Sequence, residues 1–245
     1  MAERDLKQRY VDSSLGLAWA AIHPLLLITV YALIFTFIFR GRLRPESPPA
    51  EYALYVLTGL LPWASVSEVA TRSVQVMAEH RGLVKFVVFP LQILPLTSVY
   101  AVALSQGVGL AALLVLSAVV RGVDASLVLL VLIVPLQVGL LAGVAWLLGA
   151  VGAVFRDVRE VVQILLTVGM FVTPIFFLEQ DLPPALRVAV ALNPITHLVR
   201  AYRDAFLGGF DHASSLLVLA VLALTLITVG YALFERVRSV LSDLL

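Results

Sequence analysis

Leu17-Ala18-Trp19-Ala20-Ala21-Ile22-His23-Pro24-Leu25-Leu26-Leu27-Ile28-Thr29-Val30-Tyr31-Ala32-Leu33-Ile34-Phe35-Thr36-Phe37-Ile38-Phe39 runs for 23 residues without an acidic or permanently charged side chain. About 20 helical residues cross the ~30 Å hydrocarbon core of a bilayer. The run is too long for the core of a signal peptide, so it predicts an uncleaved first span. It is framed by charge: Glu3-Arg4-Asp5-Leu6-Lys7-Gln8-Arg9 before it and Arg40 after it.

The whole chain carries the same signature. Of its 245 residues 61% are hydrophobic and 13% charged, with a mean hydropathy of +1.01, whereas soluble domains are about one-quarter charged. Seventeen basic and 16 acidic residues are too few to coat a soluble fold of this size. The net charge of +1 gives no electrostatic footprint for nucleic acid. The absence of cysteine rules out disulfides, thiol catalysis and thiolate metal sites.

Further apolar runs at 53–76, 92–119, 126–153, 160–178 and 213–234 predict an all-α integral membrane protein of six transmembrane helices. No linker or repeat divides the chain. It is expected to be one domain: residues 1–16 either an N-terminal amphipathic interface helix or a charged tail that orients the first span, 17–234 the six spans, and 235–245 a tail. With the N-terminus inside, nine of the 17 basic residues fall on the cytoplasmic side and seven on the other, and Arg72 lies within a span. That asymmetry is a weak guide to orientation.

Catalytic signals are missing. Lys7 and Lys85, the two lysines, lie outside any Gly-x-x-x-x-Gly-Lys-Ser/Thr loop, so ATP cannot be held here as in a P-loop. His23, His80, His197 and His212 do not pair at metal-ligand spacing. The expectation is a non-enzymatic chain with no metal or cofactor of its own.

Three other features stand out. Glu68 and Arg72 lie four residues apart in the second span, acid first, so they share a helix face. Each would cost roughly 2.5–3.5 kcal/mol at the bilayer centre, so they are expected to pair, either structurally or on a polar path. Met77 to Pro90 is too polar to span; it suits a surface helix or a docking element shared with Phe155-Arg156-Asp157-Val158-Arg159-Glu160. Between Glu179 and His212, Asp181-Leu182-Pro183-Pro184 and Asn193-Pro194 are helix starts. The segments they open, 182–192 and 194–207, are too short to cross. They read as two short re-entrant external helices between spans 5 and 6, with an ordinary external loop as the alternative. Leu186, Val190, Leu198 and Tyr202 are the residues expected to pack them, and Tyr202 could instead anchor at the interface or face a sugar ring.

Several motifs in this order resemble the polysaccharide-exporting branch of the type 2 ABC permeases, which export O-antigen, capsule and teichoic acid. Arg9-Tyr10-Val11-Asp12-Ser13-Ser14-Leu15-Gly16 with Trp19 is similar to the family's Arg-Tyr-x-x-Ser-x-Leu-Gly-x-x-Trp start. Gly59-Leu60-Leu61-Pro62-Trp63, Lys85-Phe86-Val87-Val88-Phe89-Pro90, Phe155-Arg156-Asp157, Thr173-Pro174-Ile175-Phe176-Phe177 and Leu192-Asn193-Pro194-Ile195-Thr196-His197 extend the likeness along the chain. At Glu79-His80-Arg81 the chain departs from the lysine or asparagine common in the family.

The resemblance implies a homodimer in the bacterial cytoplasmic membrane with both termini inside. Two copies of a separate ATPase subunit would carry ATP and magnesium, and the substrate would be a lipid-linked glycan. Coupling to the ATPase would fall to Arg9, Tyr10, Glu79, His80, Arg81, Lys85, Phe155, Arg156 and Asp157. A drug-exporting permease of the same fold is the alternative.

Overall fold

The computed structural model describes residues 18–39, 43, 46–79, 91–155 and 157–243. Among these the architecture is all-helical. Helix α1, Trp19–Leu33, continues as a π-helical turn over Ile34–Phe39. Then follow α2 (Pro49–Glu79), α3 (Ile93–Val120), a 3-10 turn Ala125–Leu129 leading into α4 (Leu130–Val154), and α5 (Val158–Val172). After a 3-10 turn at Glu179–Asp181 come α6 (Pro184–Leu192), α7 (Pro194–Leu207) and α8 (Ala213–Asp243). Five stretches are long and apolar enough to cross a membrane: Ala21–Phe39, Pro49–Met77, Ile93–Val120, Ala125–Val154 and Ala213–Arg238.

Helix α2 is the central pillar, packed by α1, α3, α4, α5 and α7. Its buried hydroxyls are satisfied within the bundle. Thr58 and Ser65 donate to the Tyr55 and Leu61 carbonyls at 2.8 and 3.0 Å, and Ser73 pairs with Ser98 of α3 at 3.0 Å. These three hydroxyls are therefore not stranded in hydrocarbon.

Without a hydrophobic driving force between helices in lipid, small residues decide how closely helices approach. A Cβ built on Gly143 of α4 would lie 2.4 Å from the Leu226 carbonyl carbon and 2.6 Å from the Ile227 nitrogen of α8. On Gly152 it would lie 2.1 Å from the Val74 oxygen of α2. Backbone therefore rests on backbone at both places, and α4 is held between α8 and the inner half of α2.

The fifth predicted span, 160–178, is the largest departure. Its helix stops at Val172 after 15 residues, because Thr173 precedes Pro174 and a residue before proline is pushed out of the α region; Thr173 sits at φ −74, ψ 136. The chain still runs antiparallel along α2. Val162 packs with Ala70 and Val74, Gly169 faces Trp63 and Ile175 faces Gly59. Beyond them the Phe176 and Phe177 carbonyls accept hydrogen bonds from Tyr52 and Tyr55, both at 2.8 Å. From 74 back to 52, α2 rises about 33 Å at 1.5 Å per residue.

The expected tail is also different, since α8 stays helical to Asp243. Phe234 is buried beside Val76, Met77 and Leu94, and Arg238 pairs with Glu235 at 3.3 Å. The interface helix at 1–16, His80 to Pro90 and Arg156 lie outside the described residues.

Replacing Gly143 with Val should destabilise the protein by about 1–3 kcal/mol, the usual cost of overpacking. Gly107→Ala, where a Cβ meets nothing within 4 Å, should be neutral. Unfolding of the detergent-solubilised protein compares the two; equal behaviour would remove the close α4–α8 contact.

Candidate functional site

The two short segments after α5 form helices where their start signals place them. Asn193 caps α7, its side chain accepting from the Ile195 nitrogen at 3.0 Å, and Pro194 occupies the first turn. The Asn193 amide also donates to Thr173 Oγ1 at 2.9 Å, tying the start of α7 to the break after α5. Helix α6 begins at Pro184, two residues later than expected, because Leu182 and Pro183 are extended.

The expected gate residues divide. Val190 is buried, Leu198 and Tyr202 are fully buried, and Leu186 is half exposed at 52%. Tyr202 does not present its ring to open space. Its hydroxyl donates to Gln137 Oε1 of α4 and accepts from Gln106 Nε2 of α3 at 2.9 Å. The two glutamines also bond each other at 2.8 and 3.1 Å. Neither stood out in the sequence reading, although a glutamine within an apolar span is itself a signal of an internal partner.

Above this ring lies a charged layer. Arg200 holds Glu179 in a bidentate pair. Burial would raise the Glu179 carboxyl, but the hydrogen bonds and charge of Arg200, with Arg203 behind it, hold it below the ordinary carboxylate range. Arg203 is buried, donates to the Pro174 and Ile175 carbonyls, and lies 3.6 Å from the Tyr55 ring centroid. Burial pulls its guanidinium down to about 10, so it stays charged at neutral pH.

Asp204, also buried, accepts from the His212 backbone nitrogen at 2.9 Å and faces His212 Nδ1 at 2.8 Å. His197 Nε2 lies 3.0 Å from the Ala191 carbonyl, which can only accept, so that nitrogen carries the proton and Nδ1, 3.1 Å from Ser215 Oγ, accepts. Burial lowers the His197 pKa, which keeps the ring neutral near pH 7. Arg121 and Glu51 pair at the same end of the bundle.

Glu68 and Arg72 form the expected i,i+4 pair, at 39% and 24% side-chain exposure, with one Arg72 nitrogen, Nη1, buried without a partner. Glu68 lines a cavity of about 220 Å³ between α1, α2 and α3, together with His23, Tyr31, Ser65, Ser105 and Gln106. Of the residues expected to couple to an ATPase, Glu79 ends α2 while Phe155 and Asp157 flank the α4–α5 turn, and Gly152 against Val74 brings these two regions to one end of the bundle. Arg9, Tyr10, His80, Arg81, Lys85 and Arg156 lie outside the described residues. No group of three or more potential metal ligands occurs among the described residues.

A family model described as ABC-2 type transporter matches residues 1–207. The chain belongs to that family. It is 29% identical to the O-antigen export system permease protein RfbA of Myxococcus xanthus over 245 residues, covering 97% of this chain and 91% of the relative. To the RfbA of Klebsiella pneumoniae it is 27% identical over 248 residues, covering 100% and 93%. To the polysialic acid transport protein KpsM of Escherichia coli it is 25% identical over 239 residues, covering 95% and 90%. This ABC-2 family member is thus a multi-pass membrane protein of the transporter permease type.

The Glu68–Arg72 pair can be tested by a thermodynamic cycle. Glu68→Gln or Arg72→Gln alone should lower stability, because each strands a charge. The double variant should cost less than the sum. Partial exposure keeps the effects below those of a fully buried pair. Strict additivity in thermal unfolding would mean the side chains do not interact.

Proposed function

We propose that this chain is the membrane-spanning permease subunit of an exporter that moves a lipid-linked polysaccharide, of O-antigen or teichoic-acid type, across the bacterial cytoplasmic membrane. The observation that carries the reading is likeness over nearly the full length to permeases named for two polysaccharides, O-antigen and polysialic acid. The chain works as a homodimer with the path between its copies. Two copies of a separate ATPase subunit bind ATP and magnesium and supply the energy, and this chain needs no cofactor.

The proposal includes six crossings. Five are the long apolar stretches, and the sixth is 158–177. What supports the sixth is its contact with α2 from Val74 to Tyr52. Fifteen helical residues cover about 22 Å, and the bent segment 173–177 carries the chain on to the level of Tyr52 on α2. An even number of crossings returns both termini to the cytoplasm.

Helices α6 and α7 then act as the outer gate. A hydrated glycan needs a wide polar path, and such a path would leak ions when idle, so it must be plugged. What supports a re-entrant position is that the Tyr202 hydroxyl meets Gln106 and Gln137, which stand about 20 Å along α3 and the 125–154 stretch from their outer ends. On the inner side the 77–90 segment and the 155–160 turn, with Arg9 and Tyr10, form the surface that takes up the ATPase stroke.

Vesicles containing the permease and its ATPase should move a lipid-linked polysaccharide across the bilayer on adding ATP, measured as protection from an impermeant glycosidase. Lys85→Glu with Arg156→Glu should reduce transport severalfold without changing membrane insertion. Movement of small toxic amphiphiles but not of the glycan would contradict the reading.

A further inference from the structure

Among the buried polar groups, one cluster ties the outer hairpin to the middle of the bundle. We propose that Gln106 and Gln137 are positioning residues for the outer gate: with the Tyr202 hydroxyl they close a hydrogen-bonded ring that seats α7, and export requires that ring to open. This rests on the reading of α6 and α7 as the gate.

The ring joins three elements that are far apart in sequence. Gln106 belongs to α3, Gln137 to α4 and Tyr202 to α7, and Gln137 and Tyr202 are essentially inaccessible. Each glutamine amide donates to the other's oxygen, so the pair is satisfied whichever way both amides are turned. Tyr202 adds one donated and one accepted bond to that pair. Gln137 and Tyr202 are sealed from the surface, so a bond lost between them has no ready replacement and the seat is held or lost as a unit instead of loosening gradually.

The arrangement is also built to release. When Tyr202 leaves, the two glutamines keep each other, so opening strands no charge and only the hydroxyl needs a new partner. Gln106 is the one ring member that also lines the cavity shared with Ser65 and Ser105, which gives its amide room to adjust. The far end of α7 is held separately: Ser117 and Ser126 donate to the Phe206 and Ala205 carbonyls at 3.3 and 2.9 Å. After that end come Gly208 and Gly209 at φ +74 and +134, a backbone conformation open to glycine and suited to a joint. Asn193, Arg200 and Arg203 tie α7 to the segment after α5, and the ring is the fastening that ties it to α3 and α4 in mid-bundle.

The full-length permease in vesicles tests this, because the native chain has no cysteine and single reporters have no background. Val199→Cys reports the seat, being fully buried on α7 against Gly59. Val123→Cys, in an exposed turn, and Ala145→Cys, buried on α4, are the controls. Adding Tyr202→Phe, which removes only the hydroxyl, should speed labelling at 199 by roughly three- to tenfold, the range for neutral hydrogen bonds lost, with both controls unchanged. Gln137→Leu should do the same, and combining the two should add little, since one ring is broken once.

Resting ion leak should rise in parallel. Unchanged labelling at 199 in both variants overturns the ring as the seat, even if Leu198→Asn leaks and the gate reading stands. Faster labelling at 199 with unchanged leak and export overturns the gate reading itself. A matching rise at Ala145→Cys would mean general loosening of the bundle and also overturns the proposal.

Discussion

The exterior of this protein is hydrocarbon, so any polar group beneath it must be answered from within the fold. That one constraint explains most of the long-range geometry. Where Thr173-Pro174 ends α5, the freed carbonyls of Pro174 to Phe177 would be costly in lipid. They are met by Arg203, Tyr52 and Tyr55. The aromatic side chains around them, Phe35, Tyr52 and Phe176, stack or meet edge to face, so the unwound segment is covered as well as bonded. A break that would otherwise be a fault becomes the place where α1, α2, α5 and α7 are joined.

The same accounting links the outer layer to the core. Glu179–Arg200, Asp204–His212 and Glu51–Arg121 gather at one end, and the Gln106–Gln137–Tyr202 ring lies beneath them. Between these polar layers Leu198, Val199, Ala201 and Ala205 of α7 are almost fully buried against the bundle. A hairpin attached in this manner has an apolar seat and a small number of polar fastenings. Away from these layers, close glycine contacts hold α4 against α8 and α2.

How much of this was legible in the sequence depended on range. Span positions came from long apolar runs, and the starts of α6, to within two residues, and α7 from Pro183-Pro184 and Asn193-Pro194, because capping and proline effects are local. The end of α5 was missed although its cause, Thr173-Pro174, is local too: the apolar run continues through Ile175, Phe176 and Phe177 and hid the break. Helix α8 was cut short at 234 because charge at Glu235, Arg236 and Arg238 looked like a tail, whereas the Phe234 packing and the Glu235–Arg238 pair carry the helix on. The ring was not legible, since nothing local says that Gln106 meets a glutamine 31 residues away and a tyrosine 96 away. Tyr202 was expected to pack the short segments and does so, fully buried in its own bundle, but the partners of its hydroxyl could not be read from the sequence. Glu68–Arg72 was legible because it is a single-helix pair.

The topology and the gate both require residues 158–177 to cross the membrane with a short helix and a bent, non-helical end. Single cysteines at Asp157 and Gln180, probed with an impermeant thiol reagent from each side of sealed vesicles, measure this directly. Labelling of 157 only from the cytoplasmic side and of 180 only from the other is the predicted result; labelling of both from one side would contradict the crossing and, with it, the gate.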